Sequence, residues 1–413
     1  KMPRPARKVM ITGKGRCNLT NVKDWNEFSA HIRSNPNFVK SAFYTLPPEA
    51  LLDWFAMFGM RSVVERGDRA FPESYRASDV VDTLVNACNS LGVKIVCEAE
   101  VESVKPGFTL ALSDGSVWNC RTLILATGGL SYPGTGSSGD GLRWAEELGH
   151  KIEPTFPSLT ALVPRGYKLV EGKGLHIDRS TALSPLGEKL CGVHLKNISL
   201  SLEIGGTDAG TEFGDIDFTD GGLEGPLGFQ LSRKAVKSML NGARVSLSLD
   251  LKPGVSLTEL TERVGQLWKE VDKDPRSVRL REKEKCRILL GKLMPWDLIP
   301  AFVEMNPGIM TLERRSRTDT KLWVNLPTIA KALKSWRFDI AGFVGYERAV
   351  VTAGGVSSES VVAKTMASRV VPGLFFCGEM LDVDSDTGGY NLQTAFSTGA
   401  LAGGSAAKYI LGL

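Results

Sequence analysis

Two apolar runs without alternation, each closed by glycine, lie far apart in the chain. Leu123–Ala126 ends in Thr127-Gly128-Gly129, and Leu374–Cys377 stops at Gly378-Glu379. Both runs predict strands, and the first, without alternation, a buried parallel one. Before the first run, Ser78–Leu91 places Val80, Val81, Leu84, Val85 and Leu91 at helical spacing. Val93–Cys97 then reads as a strand. Ala99–Asn119 reads as a hairpin meander with Asp114-Gly115 at a turn. After the second run comes an acidic, glycine-rich loop carrying Asp382, Asp384, Asp386, Gly388 and Gly389. A helix opens at Tyr390-Asn391. Such a helix start offers unpaired N–H groups and a partial positive charge to whatever lies in front of it. A fold-only reading stands beside this: a βα unit whose glycines merely permit tight turns.

The texture changes twice in between. Residues 158–255 are rich in glycine and β-like runs such as GVHLKNISLSLEI and ARVSLSLDL, which predicts a β-barrel or sandwich. Residues 256–337 turn helical, with Ser256 and Glu259 at capping-box spacing. Residues 1–157 and 338–413 read as one α/β domain of Rossmann-like type, discontinuous and interrupted by these two insertions.

Gly134, Gly136 and Gly139 spell G-x-G-x-x-G ahead of a helical stretch, Gly139–Leu148. The dinucleotide fingerprint requires that motif directly after a strand, with an acid closing a second strand about 20 residues on. Seven residues, Thr127–Pro133, intervene here and no such second strand follows, so this glycine set reads as a loop. A strand–fingerprint–helix unit is expected upstream of Lys1.

The 413 residues are 42% hydrophobic and 23% charged, as in a soluble protein of two or three domains. No apolar run approaches the roughly 18 residues that span a bilayer. The seven cysteines are scattered and never in C-x-x-C spacing, which argues for a reducing cytoplasm and against a disulfide framework or structural zinc. The four histidines are dispersed, and a metal site is not expected. Net charge is only +4, but Arg276–Arg337 holds 14 Lys or Arg against six Asp or Glu. That tract is either a solvated helix face or a landing surface for an anionic partner such as RNA. In the RNA case, replacing Arg314, Arg315 and Arg317 by Ala should flatten the salt dependence of RNA binding.

Five blocks in order carry a wider resemblance: ARKVMITGKGRCNLTN, RAFPESYRASDVVDTL, ATGGLSYPGTGSSGDGLRWAEELGH, ERAVVTAGGVSSESV and GEMLDVDSDTGGYNLQTAFSTGALAG. From about Arg7 onward the chain resembles the aminoacetone-oxidase-like, or BaiN/RdsA-type, bacterial NAD(P)/FAD-dependent oxidoreductases. The resemblance implies a two-dinucleotide-binding flavoprotein whose inserted β and helical domain covers the flavin and selects the substrate. It implies FAD as cofactor and a hydride supplied by NAD(P)H or by the substrate. Gly13, Arg16, Cys17 and Asn18 would lie along the flavin. Val101, Ala126, Thr127 and Gly128 would hold the adenosine end. Gly378 and Glu379 would take the ribityl chain and pyrophosphate, and Asp382, Gly388, Gly389, Tyr390 and Asn391 would frame the isoalloxazine.

Plainer readings accompany several of these. Asn18 suits a cap, Arg16 a surface charge, Cys17 a small buried hydrophobe and Tyr390 a core aromatic. Arg69 is a candidate for an anionic substrate or for an ion pair. No residue presents itself as a catalytic acid or base, and the oligomeric state is not legible. The family's Thr-His-x-Gly-x-Ser-Gly-Pro block stands here as Thr219-Asp220-Gly221-Gly222-Leu223-Glu224-Gly225-Pro226, without its His and Ser. The family's substrates are varied: some members reduce uridine in ribosomal RNA, others act on small amines or are linked to steroid reduction. A flavin-free scaffold of the same fold is the remaining alternative.

Overall fold

The structure, a computed structural model, describes residues 1–170, 172, 174–314 and 320–413. It divides into two compact units, residues 1–159 with 346–413 and residues 160–345.

In the first unit Leu123–Leu125 and Leu374–Phe376 lie side by side and parallel, Ile124 opposite Phe375. Leu374–Phe376 continues antiparallel to Ala367–Ser368, which pairs with Val361–Val362. The inner strand is buried throughout. Leu123–Leu125 is not, and Ile124 is 37% exposed. The expectation of a fully buried run fails there because, among the described residues, this strand has a hydrogen-bonded neighbour on one side only. Val93–Cys97 is not a strand either. It runs exposed, and no described strand lies beside it to take its backbone hydrogen bonds. The meander forms as read, in strands Val101–Lys105, Thr109–Leu112 and Val117–Asn119. Asp114 caps its turn by accepting from Ser116 N.

The C-terminal helix, Tyr390–Leu411, passes behind this sheet. Its buried Gln393 and Ser397 both donate to Leu46 O at the end of the helix Pro36–Thr45. Polar side chains therefore do at this seam what apolar ones do elsewhere, satisfying a carbonyl that the helix end leaves free.

The second unit is built on a closed barrel. Its strands run, in order around it, His194–Ile204, Thr207–Thr219, Gly222–Glu224, Leu162–Pro164, Trp336–Phe343 and Val245–Asp250. Alternate residues Ile198, Leu200 and Leu202 are buried, as are Leu247 and Leu249 opposite. Trp336, Phe338 and Phe218 close the interior, with ring centroids of Trp336 and Phe338 4.8 Å apart. The return to the α/β unit thus falls at Tyr346 and not near Phe338, because Trp336–Phe343 is needed to close the barrel.

A 16-residue helix, Gly225–Leu240, follows directly and buries Leu227, Leu231, Ala235 and Met239. The sequence reading took that stretch as β. Beyond it come helices Leu257–Lys273, Glu282–Gly291, Ile299–Met305 and Leu326–Lys334. Ser256 and Glu259 form the expected capping box, which contributes about 1 kcal/mol. A hairpin, Met310–Arg314 with Thr320–Val324, was not anticipated. Arg315 and Arg317 of the basic tract lie outside the described residues.

Candidate functional site

The strand Leu374–Phe376 ends at Gly378, whose φ of 66° turns the chain into Glu379. After the acidic loop, Gly388 and Gly389 take φ values of 123° and 100°, open to glycine and costly for other residues. At Gly389 a side chain would also press into the Thr20 carbonyl and stand 2.9 Å from Asn18 Oδ1. Glycine lets the long helix begin directly against the Asn18–Thr20 backbone. Among the described residues no side chain caps that helix.

This close approach creates a cleft of about 410 Å³. Gly13, Arg16 and Asn18 line it from the start of the chain; Gly378, Glu379, Gly388, Gly389 and Asn391 line it from the end. Eight predicted site residues thus come together from opposite ends of the chain. The uncapped N–H groups opening the helix carry the positive end of its dipole. Asn18 Oδ1 is buried with no hydrogen-bond partner. A buried acceptor of this kind costs about 1–3 kcal/mol unless something donates to it. The cleft therefore asks for a ligand that carries a donor and electron-rich acceptors on one edge. The pyrimidine edge of a flavin ring, with its N–H between two carbonyls, has that pattern, so the residues present fit the ring.

The acidic loop serves to hold the helix start. Asp384 is wholly buried and accepts from Ser34 Oγ at 2.7 Å and Ser158 Oγ at 2.9 Å. Asp386 accepts from Arg33 Nε at 2.5 Å and faces His31 Nδ1 at 3.0 Å. Asn391 binds both the N–H and the carbonyl of Ser385, each at 2.9 Å. Asp382 bonds Asn35 instead of lining the cleft. Tyr390 also lies outside it. Its ring stacks on His31 and meets Phe28 edge-on, and burial pushes its phenol up. Cys17 is fully buried, its thiol pushed by burial up to about 11, so it stays protonated and unreactive near neutrality.

Arg16 is fixed at the cleft wall. Its guanidinium sits 4.5 Å from the centroids of both Phe71 and Tyr75, and it reaches Glu65 Oε1 at 2.6 Å. Arg69 lines the cleft too, with Glu65 Oε2 4.0 Å away.

Glu379 is the centre of a network the sequence did not suggest. Oε2 pairs with Lys8 Nζ at 2.6 Å; Oε1 accepts from Ser131 Oγ at 2.6 Å and Thr352 N at 2.8 Å. Lys8 Nζ also donates to Ser131 Oγ. A side chain at Gly129 would collide with Thr352 and stand 2.9 Å from Glu379 Oε1. The second glycine of the turn thus exists for close approach to this carboxylate. Lys8, Ser131 and Thr352 all lie inside the quoted motif blocks, which is the signal that was available for them.

The residues read as the adenosine end do not join the cleft. Val101 pairs with Leu112 in the meander. Thr127 Oγ1 donates to Met380 Sδ at 2.9 Å, beneath the helix Asp140–Glu147. Gly128, with φ 77°, packs toward Ser137, and Ala126 lies outside the cleft beside it. Among the described residues no group of three His, Cys, Asp or Glu could hold a metal ion, and no helix is long and apolar enough to cross a membrane.

A parallel βα pair with a glycine turn facing an uncapped helix start defines a Rossmann-type domain, here interrupted by a closed six-stranded barrel. The chain belongs to the HI0933-like protein Rossmann domain family, whose model matches residues 1–405. It is 29% identical to a 3-dehydro-bile acid delta(4,6)-reductase of Clostridium scindens, over 97% of this chain and 90% of that one. It is 31% identical to a ribosomal RNA dihydrouridine synthase of Escherichia coli, over 96% of this chain and 88% of that one. Its Haemophilus influenzae counterpart is 30% identical, over 95% and 87%. Likeness to a solved flavocytochrome c3 fumarate reductase is slight, at TM-score 0.40 and 15% identity over 98% of this chain and 72% of that one.

Proposed function

We propose that this chain is a flavin-dependent oxidoreductase, with FAD as cofactor and NAD(P)H or the substrate itself as hydride donor. The observation that carries this is the uncapped start of the helix Tyr390–Leu411 lying beside the unpartnered Asn18 Oδ1 in one cleft. A bound flavin supplies the two-electron chemistry; the protein supplies orientation and electrostatics. Asn18 Oδ1 accepts from the ring N–H. The helix start stabilises negative charge on the pyrimidine edge, an effect of about 0.3–1 kcal/mol and up to ~2 when partly buried. Glu379 is the acceptor for the ribityl hydroxyls. The acceptor of the electrons is a carbon–carbon double bond or oxygen. The reductase name of one relative supports the former.

The test is the visible absorption spectrum of the purified chain after incubation with FAD and desalting. Retained bands at about 370 and 450 nm support the reading. A colourless protein overturns it and favours a scaffold of the same fold.

A second reading has its own observation. The Arg276–Arg337 tract carries 14 basic against six acidic residues, and two relatives are named as ribosomal RNA dihydrouridine synthases. On that reading the substrate is a uridine in RNA. Salt-dependent binding of an RNA hairpin would support it; binding no tighter than to a neutral polymer would remove it. All seven cysteines are free, which fits a cytoplasmic setting.

A further inference from the structure

Glu379 is the only carboxylate among the described residues of the cleft wall, and Lys8 Nζ stands 2.6 Å from its Oε2. Both side chains are mostly buried, at 22% and 17% exposure. Lys8 also binds Ser131 Oγ, whose hydroxyl donates to Oε1 of the same carboxylate. Thr352 N completes the set. A lysine ammonium has three donors, and two are used here.

We infer that Lys8 is a cofactor-affinity residue: it neutralises Glu379 so that an anionic flavin nucleotide can share the cleft with a carboxylate. The inference rests on the flavin reading above. Its physical basis is simple. A carboxylate that accepts ribityl hydroxyls sits next to the cofactor's phosphates, and like charges at that range repel strongly in a partly buried site. Lys8 cancels the repulsion and keeps a third N–H for the cleft. Riboflavin has the same ring and ribityl chain but no phosphate, so it feels none of the repulsion that Lys8 cancels.

The experiment titrates riboflavin, FMN and FAD into the full chain by flavin fluorescence, for the wild type, Lys8→Met, Lys8→Arg and Lys8→Met with Glu379→Gln. The readout is the ratio of FAD to riboflavin affinity, which cancels any general damage to the ring site. Lys8→Met is expected to lower that ratio about tenfold or more, for the loss of one neutralising charge in a partly buried cleft. Lys8→Arg should preserve the ratio. Adding Glu379→Gln to Lys8→Met should restore it, because the uncompensated charge is then gone. An unchanged ratio in Lys8→Met, or no restoration in the double variant, overturns the inference and leaves the flavin reading intact. If the wild type binds none of the three flavins, both fall together.

Discussion

The imidazole of His31 lies flat on the ring of Tyr390, centroids 4.3 Å apart and planes 19° from parallel. The same imidazole faces Asp386 Oδ2 through Nδ1 at 3.0 Å. A residue near the start of the chain thereby fixes the first residue of the C-terminal helix and the loop before it. Asp386 is nearly inaccessible, while Arg33, its other partner, is 37% exposed. Removing the carboxylate strands a half-exposed guanidinium and a histidine. Asp386→Ala is expected to cost about 2 kcal/mol, below the figure for a fully buried pair because solvent screens Arg33. The urea midpoint of the apo-protein measures this. A midpoint within error of wild type would mean that Asp384 and Asn391 hold the loop without the Asp386 carboxylate.

Two glycines of the same helix should answer alanine in opposite ways. At Gly389 a methyl meets the Thr20 carbonyl at φ 100°, so Gly389→Ala should destabilise by about 3 kcal/mol and close the cleft to flavin. At Gly399 nothing lies within 4 Å, and the helix interior favours alanine. Gly399→Ala should stabilise by about 0.5–1 kcal/mol. Thermal melts of the two variants check both signs at once.

Cys17 sits where the resemblance placed a flavin contact, yet it is wholly buried and its thiol is pushed up to about 11. Cys17→Ala should leave any flavin spectrum unchanged and cost about 1 kcal/mol of stability from lost packing. In the folded wild type at pH 8, a maleimide should label exposed Cys97 quickly and Cys17 only on unfolding. Loss of flavin binding in Cys17→Ala would put sulfur back into the site.

What the sequence made legible follows from range. The closing glycines of Leu123–Ala126 and Leu374–Cys377, the meander turn at Asp114-Gly115 and the helix start at Tyr390 are local, and local patterns of apolar residues and turn formers specify them. Val93–Cys97 has a strand's composition but no described neighbour to pair with, and a strand is a property of pairs. Gly225–Leu240 begins Gly-Pro among β-like runs, which hides a helix whose stability comes from packing. The boundary near Phe338 was misplaced because barrel closure joins Trp336–Phe343 to strands distant in sequence. Within the site, Gly378, Gly388 and Gly389 announced themselves as turn formers after an apolar run, while Gly13 and Asn18 were named only through the resemblance of their block. Lys8 did not announce itself, since its partner Glu379 is 371 residues away and ordinary surface lysines look the same.

His150 supplies a pH dependence with a definite sign. It is 3% exposed, with Nδ1 2.9 Å from Ala145 O and Nε2 2.7 Å from Ser368 Oγ. A neutral ring satisfies both: Nδ1–H donates to the carbonyl and Nε2 accepts the Ser368 hydroxyl. Ser368 Oγ in turn accepts Val370 N and Val371 N, which tie down the segment leading into Leu374–Phe376. Burial lowers the ring's proton affinity below that of an ordinary histidine. A depressed histidine stabilises the fold above its unfolded value, and that contribution disappears as pH falls below it toward the folded value. The melting temperature should therefore drop between about pH 7 and pH 5. His150→Gln, which does not titrate in this range, should flatten part of that slope while lowering stability at pH 7.5 by about 1–2 kcal/mol. An equal slope in wild type and variant would assign the acid sensitivity to other groups.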